Sequence, residues 1–348
     1  MVSQTCSRRA DAENTPPSTR IANPKAKVRK GIQAAASRRR ARAINSSSHP
    51  RYAVSLAKQK STSKSPPASF EVEVPRTPPA DVDMADATPA ITMTSVSLPR
   101  YLCRPTPRDV PKQNIAAVAP ELADTPLTYI RDGLECLGPD MLQVLAGVKA
   151  ETVSNVLPKE LTVVVDDLSS DMPTHMLAVY SRQAPAAAKR RVKLFPTHNI
   201  VLAAHCANLP ILQQSNPTTP EKAGESITIP VVPLCIPAPE VFPQLSTFLY
   251  TKRIDYLLAT LLSHPVPPAL YTEDPTSERV RSALQQCASK LATLAPAHVL
   301  LSRAMAVNGL WRNACALGIG DEKLWCAMDV AWEVLLHALA ISTSKQLL

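Results

Sequence analysis

The sequence predicts an α+β body that ends in a helical bundle and is preceded by a long, basic, disordered tail. Three observations predict it. Residues 1–64 hold 15 Lys and Arg against 2 Asp and Glu, a balance of +13 in a chain whose net charge is only +9. The middle of the chain alternates short β-branched runs with stretches of helical period. The last third carries three long apolar stripes and all 3 tryptophans.

The tail is assigned to residues 1–120. It combines basic clusters, serine runs and proline-rich pieces such as KSPPASF and PRTPPADVDMADATPA. Fixing such a chain costs about 1–2 kcal/mol per residue in backbone entropy, and it offers little apolar surface to offset that cost. The 34 prolines against 8 glycines fit this division.

Regular structure is expected from Pro126 onward. PLTYIRDGLECLGPDMLQVLAGV spaces Ile130, Leu134, Leu137, Met141, Val144, Leu145 and Val148 as a helix does, with Gly138-Pro139 read as punctuation. LTVVVDD (161–167), HMLAVYS (175–181) and RVKLF (191–195) are strand candidates. A helix is expected over residues 198–207, then a polar loop and ITIPVVPLCI (227–236), an extended run broken by prolines. APEVFPQLSTFLYTKRIDYLLATLLS supplies two helical pieces, completing an α+β domain over 125–262. A proline-rich linker, 263–276, leads into a helical subdomain, 277–348. Ser277 and Asp321 are placed to cap its first and third helices, Pro296 opens the second, and Gly318 ends it.

No apolar run approaches the roughly 18–20 residues that span a bilayer. The first residues, MVSQTCSRRADAEN, lack the apolar core of an export signal, and Asp11, Glu13 and Pro16-Pro17 argue against a mitochondrial transit peptide. The 8 cysteines form no CxxC pair, so they read as reduced core thiols of a nuclear or cytoplasmic protein.

The stretch LFPTHNIVLAAHCANLP (194–210) brings His198, His205 and Cys206 together and raises the question of a metal or nucleophile site. A metal needs three or four convergent donors. His198 falls at the helix start, Cys206 points to a different face, and His175, His264, His298 and His337 are isolated. A catalytic Cys206 would need an oriented base, which a histidine adjacent on a helix does not supply. Asp166 and Asp167 read as a turn rather than a catalytic pair. With no GxSxG, P-loop, GxGxxG or HExxH, the reading is a non-catalytic protein without cofactor, metal or small-molecule substrate. Its histidines are expected to be one capping or core residue and one partly exposed residue.

LFPTHNIVLAAHC resembles the entry to the first helices of a BTB/POZ domain, F-x-x-H-x-x-x-L-A-A-x-S, through Phe195, His198, Leu202, Ala203 and Ala204. The resemblance continues through Glu240, Val241, Phe242, Phe248, Tyr250 and Thr251, and covers about 161–261. It implies a BTB/POZ-like mixed core in which LTVVVDD is the first strand, the Ala-Ala pair lets helices approach, and Leu202, Phe242, Phe248 and Tyr250 fill the interior. Lys252 stands where that family usually has glycine. Lys252 and Arg253 are the exposed candidates for partner contact.

From about residue 125 to the C-terminus the chain is also similar to the clampless-type proteins of basidiomycete fungi. That resemblance implies a regulator of clamp-cell formation and dikaryotic sexual development, acting by protein–protein contact downstream of mating-type homeodomain factors. Homeodomain or other transcription factors are the implied partners, and a cullin ubiquitin-ligase adaptor is the alternative.

The clusters KAKVRK (25–30) and SRRRAR (37–42) suit an importin groove, through Lys25, Lys27, Arg29, Lys30, Arg38, Arg39, Arg40 and Arg42. Weak, sequence-independent nucleic-acid contact is the lesser reading, since no aromatics interleave with the charges. Ser/Thr-Pro pairs at Thr15, Ser65, Thr77, Thr88, Thr106, Thr125 and Thr219 are candidate sites for proline-directed kinases.

Overall fold

The computed structural model describes residues 66–75, 91–150, 156–182 and 192–343. The two basic clusters lie outside the described residues. The earliest described element is a surprise to the sequence reading. Ala68–Pro75 (β1) and Ile91–Leu98 (β2) form an antiparallel hairpin in the region assigned to the disordered tail. Its alternation buries Ala68, Phe70 and Val72 while Ser69, Glu71 and Glu73 face solvent. The buried face joins the main core. Two of the C-terminal tryptophans then fasten the following segment, Trp332 Nε1–H donating to Pro99 O (3.1 Å) and Trp311 Nε1–H to Cys103 O (2.7 Å). Arg104 adds an ion pair with Asp329. Residues 91–120 thus belong to the body, because their apolar positions have distant partners that local periodicity does not reveal.

A short helix, Lys112–Val118 (α1), and a 3₁₀ turn, Pro120–Leu122, lead to Leu127–Ala146 (α2). The expected break at Gly138-Pro139 is absent, and α2 runs straight through Pro139. Gly138 has another role. A Cβ there would lie 1.9 Å from the Tyr250 carbonyl oxygen, so glycine is what allows the two helices to touch.

The central sheet has the order β3-β4-β7-β5-β6, with β3 Val148–Ala150, β4 Glu160–Val165, β5 His175–Tyr180, β6 Lys193–Thr197 and β7 Glu225–Cys235. β6 starts two residues later than expected and passes through Pro196, which an edge strand tolerates. β7 contains Pro230 and Pro233 although it lies in the middle of the sheet. The register explains this. Residues 225–230 pair antiparallel with β4, whereas residues 231–235 pair parallel with β5. Each half of β7 therefore leaves one edge unpaired, where a missing N–H costs little. Val144, Leu161, Val163, Val165, Met176, Ile227 and Ile229 close one face of this sheet.

Asn199–His205 (α3) follows β6; LTVVVDD is β4 and so lies three strands away from the edge that feeds the motif. After a 3₁₀ turn at Pro239–Val241 come Phe242–Thr251 (α4) and Ile254–Leu262 (α5). The expected linker contains Ala269–Thr272 (α6), with Leu270 fully buried. Glu278–Leu294 (α7), Ala297–Leu317 (α8) and Glu322–Ser342 (α9) complete the fold. Asp321 caps α9, accepting from Lys323 N–H and Leu324 N–H, and Gly318 ends α8 at φ 66°. Ser277 occupies the cap position of α7 without a side-chain hydrogen bond.

α9 corrects a further expectation. It is long and apolar enough to cross a bilayer, yet 78% of its apolar window is buried within the fold. It is the axis of the core. A single cluster runs from Ala68 to Ala340, so packing does not divide the chain at 263–276. Asn313 makes the same point: its amide accepts from Ala238 N–H (2.9 Å) and donates to Ala238 O (2.7 Å), tying α8 to the turn after β7.

Candidate functional site

The polar residues of the LFPTHNIVLAAHC stretch fall into two separate buried networks. The first centres on Tyr250 in α4. Its hydroxyl accepts from His198 N–H (2.9 Å), lies 3.1 Å from His198 Nδ1 and 3.3 Å from Thr197 Oγ1. His198 Nε2 is 2.9 Å from Asp171 O. A carbonyl only accepts, so Nε2 carries the proton and Nδ1 takes the Tyr250 hydroxyl hydrogen. Burial drives the His198 pKa down to about 4 and the Tyr250 pKa up to about 12, and both groups are neutral. His198 occupies the cap position of α3 but does not cap it. It is a core histidine.

The second network closes the other end of α3. Lys252 Nζ lies 2.8 Å from Asp321 Oδ2 and 3.3 Å from His205 Nδ1. Burial lowers the His205 pKa well below its ordinary value, and the Lys252 ammonium pushes in the same direction. Burial would raise the Asp321 carboxyl, but the adjacent Lys252 wins and holds it below the usual range. Beside them, burial pushes the Cys206 thiol up to about 12, so it is protonated and a poor nucleophile.

Two sequence expectations fail here. One of the two histidines is expected to be partly exposed, but both are buried, His198 at 1% and His205 at 3% exposure. Lys252, expected to be an exposed contact, is buried at 7% and adopts the left-handed backbone (φ 54°) that a glycine takes without strain. The ammonium turns inward because Asp321 waits there, and a lysine stem can lie along apolar surface while its head finds a charge. Arg253 is exposed and pairs with Asp255. Of the fold-motif residues, Leu202, Ala203, Ala204, Phe242, Phe248 and Tyr250 are buried, and Phe195 is half-buried with its ring 5.2 Å from Phe242. The thiols are more mixed than expected. Cys206, Cys287 and Cys326 are buried, whereas Cys103, Cys136 and Cys235 are exposed.

Sequence reasoning missed the Lys252–Asp321 pair and the role of the Tyr250 hydroxyl. One signal was available for the first, a lysine at a position that favours glycine. Among the described residues, no three His, Cys, Asp or Glu side chains gather as a metal would require. The His198 and His205 imidazoles each engage different protein groups, one at either end of α3.

This arrangement defines an α+β scaffold whose central polar groups hold secondary-structure elements together. Residues 105–237 match the Clampless protein 1 N-terminal domain, and residues 255–347 match the Clampless protein 1 C-terminal domain. The chain belongs to the clampless protein 1 family. This is a regulatory family not known for catalysis, and its domains point to a role in clamp formation. No curated protein and no solved structure matches the chain.

Proposed function

We propose that the protein is a non-catalytic nuclear adaptor that acts by protein–protein contact in clamp-cell and dikaryon development. The observation that carries this reading is the internal engagement of the central chemistry. Tyr250, His198, Lys252 and Asp321 bond to one another or to backbone, and the Cys206 thiol is held protonated. Function then falls to the outer surface, where Arg253 is exposed beside Asp255. The BTB/POZ likeness of the α3 and α4 segments supports the same reading, since it implies a docking module. The basic clusters at 25–30 and 37–42 provide an import signal that delivers the body to its partners.

Affinity purification of the full chain from nuclei tests the proposal. Recovery of homeodomain or other transcription factors, weakened by Arg253→Glu, is the expected result. Recovery of a cullin would instead favour the ubiquitin-ligase adaptor. Multiple-turnover conversion of a small substrate by the purified chain would overturn both. Replacing Lys25, Lys27, Arg29, Lys30, Arg38, Arg39, Arg40 and Arg42 by alanine should leave a fluorescent fusion in the cytoplasm; unchanged nuclear signal removes the import role.

A further inference from the structure

Three Thr-Pro pairs lie within the described residues, and their surroundings differ. Thr125 is half-buried, and its N–H donates to Leu122 O in the turn that enters α2. Thr106 is exposed, but its neighbours Cys103 and Arg104 are fastened to α8 and α9, and the third residue after it is acidic Asp109. Thr219 is exposed in the connection between α3 and β7, where no backbone–backbone hydrogen bond holds residues 213–221 among the described residues. Pro217 and Pro220 bias that stretch toward extended backbone. The third residue after Thr219 is Lys222, which is exposed. The loop is anchored at both ends, by buried Leu212 and by Gly224 N–H donating to Val165 O (2.9 Å).

A proline-directed kinase takes its substrate as an extended chain, with proline directly after the hydroxyl and, in one large class, a basic side chain three residues on. Thr219-Pro220-Glu221-Lys222 supplies the proline and the basic residue, and the bend at Glu221 and Lys222, held by Glu221 N–H on Glu225 Oε2 (2.9 Å) and Glu225 N–H on Lys222 O (3.4 Å), straightens when the kinase takes the segment. We propose that Thr219 is a phosphorylation site for a kinase of that class, and that the phosphate opens the cavity over which its loop lies. That cavity, about 130 Å³, is lined by Thr219 together with apolar Leu122, Met141 and Met172 and acidic Glu121 and Asp171. In the transfer the Thr219 oxygen bonds to the γ-phosphorus of ATP, the bond from that phosphorus to ADP breaks, and the hydroxyl proton leaves to the kinase's base. The product carries nearly two negative charges into a lining that includes acidic Glu121 and Asp171 and no Lys or Arg, which disfavours the loop's seat on the body. This inference is independent of the adaptor reading.

The full chain is incubated with ATP and a cyclin-dependent-type kinase, and the modified residues are mapped by mass spectrometry. Thr219 should be modified roughly tenfold faster than Thr106 or Thr125, the effect on a rate of about one charge-assisted contact. Lys222→Glu should abolish that advantage, and Thr219→Ala should remove the phosphopeptide. An unmodified Thr219 overturns the proposal whichever other sites react, as does a rate indifferent to Lys222→Glu. Hydrogen exchange then reads the opening. Amides of residues 118–122 and 168–172 should exchange faster after phosphorylation, and identical exchange overturns the cavity-opening step.

Discussion

Lys252 Nζ and Asp321 Oδ2 are 2.8 Å apart, with side-chain exposures of only 5% and 17%, although 69 residues separate them in the chain. The pair joins the left-handed end of α4 to the first turn of α9 and lies beside the end of α3. Asp321 serves two neighbours at once, since its other oxygen accepts from Lys323 N–H and Leu324 N–H. Lys252 lies between the segments matched to the two clampless domains and links His205 of the first (3.3 Å) to Asp321 of the second.

Removing one partner strands the other. Asp321→Ala is expected to cost about 3–5 kcal/mol, because a buried ammonium is left unpaired and a helix cap is lost. Lys252→Met combined with Asp321→Asn should cost less than Asp321→Ala alone, since no charge remains and the cap survives. Urea unfolding of the variants measures both. A double variant as unstable as Asp321→Ala would argue that the pair is not a charge problem at all.

Acid should loosen the fold through His198. Its folded pKa of about 4 lies below the unfolded value of about 6.5, so the unfolded chain binds the proton first as pH falls. The stabilisation is complete above about pH 6.5 and is lost progressively down to about pH 4, by about 3 kcal/mol from this residue. His175, lowered by burial in the same direction, adds to the slope. Stability measured across that window should fall with acid, and His198→Gln should flatten the curve. A flat wild-type profile contradicts the assignment of a neutral, buried His198.

Glycine at 138 is a steric requirement. Gly138→Ala places a methyl 1.9 Å from the Tyr250 carbonyl oxygen, and α2 must then separate from α4. A loss of about 3 kcal/mol or more is expected, at the upper end of overpacking costs. Gly309→Ala meets Ala238 Cβ at 2.9 Å, a contact that also requires a shift. Thermal unfolding that left Gly138→Ala at the wild-type midpoint would rule out the close crossing.

The hairpin and strap make their own prediction. A chain starting at residue 66 should be as stable as the full chain, whereas one starting at residue 105, where the family domain begins, should be weaker by several kcal/mol. It loses buried Phe70 and Val72, each about 1.5–3 kcal/mol, and the Trp332 and Trp311 hydrogen bonds to Pro99 and Cys103. Chemical denaturation of the two truncations distinguishes these outcomes.

Local pattern by itself determined much of this protein. The period of α7 to α9, the Asp321 cap, Gly318 at the end of α8 and the short strands at LTVVVDD and HMLAVYS are all legible, because each depends on residues within a few positions of one another. Tertiary structure decided the rest. Pro139 lies inside a helix, the prolines of β7 lie in a central strand, and the hairpin belongs to the core because partners far along the chain supply what local sequence withholds. Lys252 is the sharpest case. Free energy sends an isolated lysine to water, and only a carboxylate delivered from 69 residues away makes the interior the better solvent.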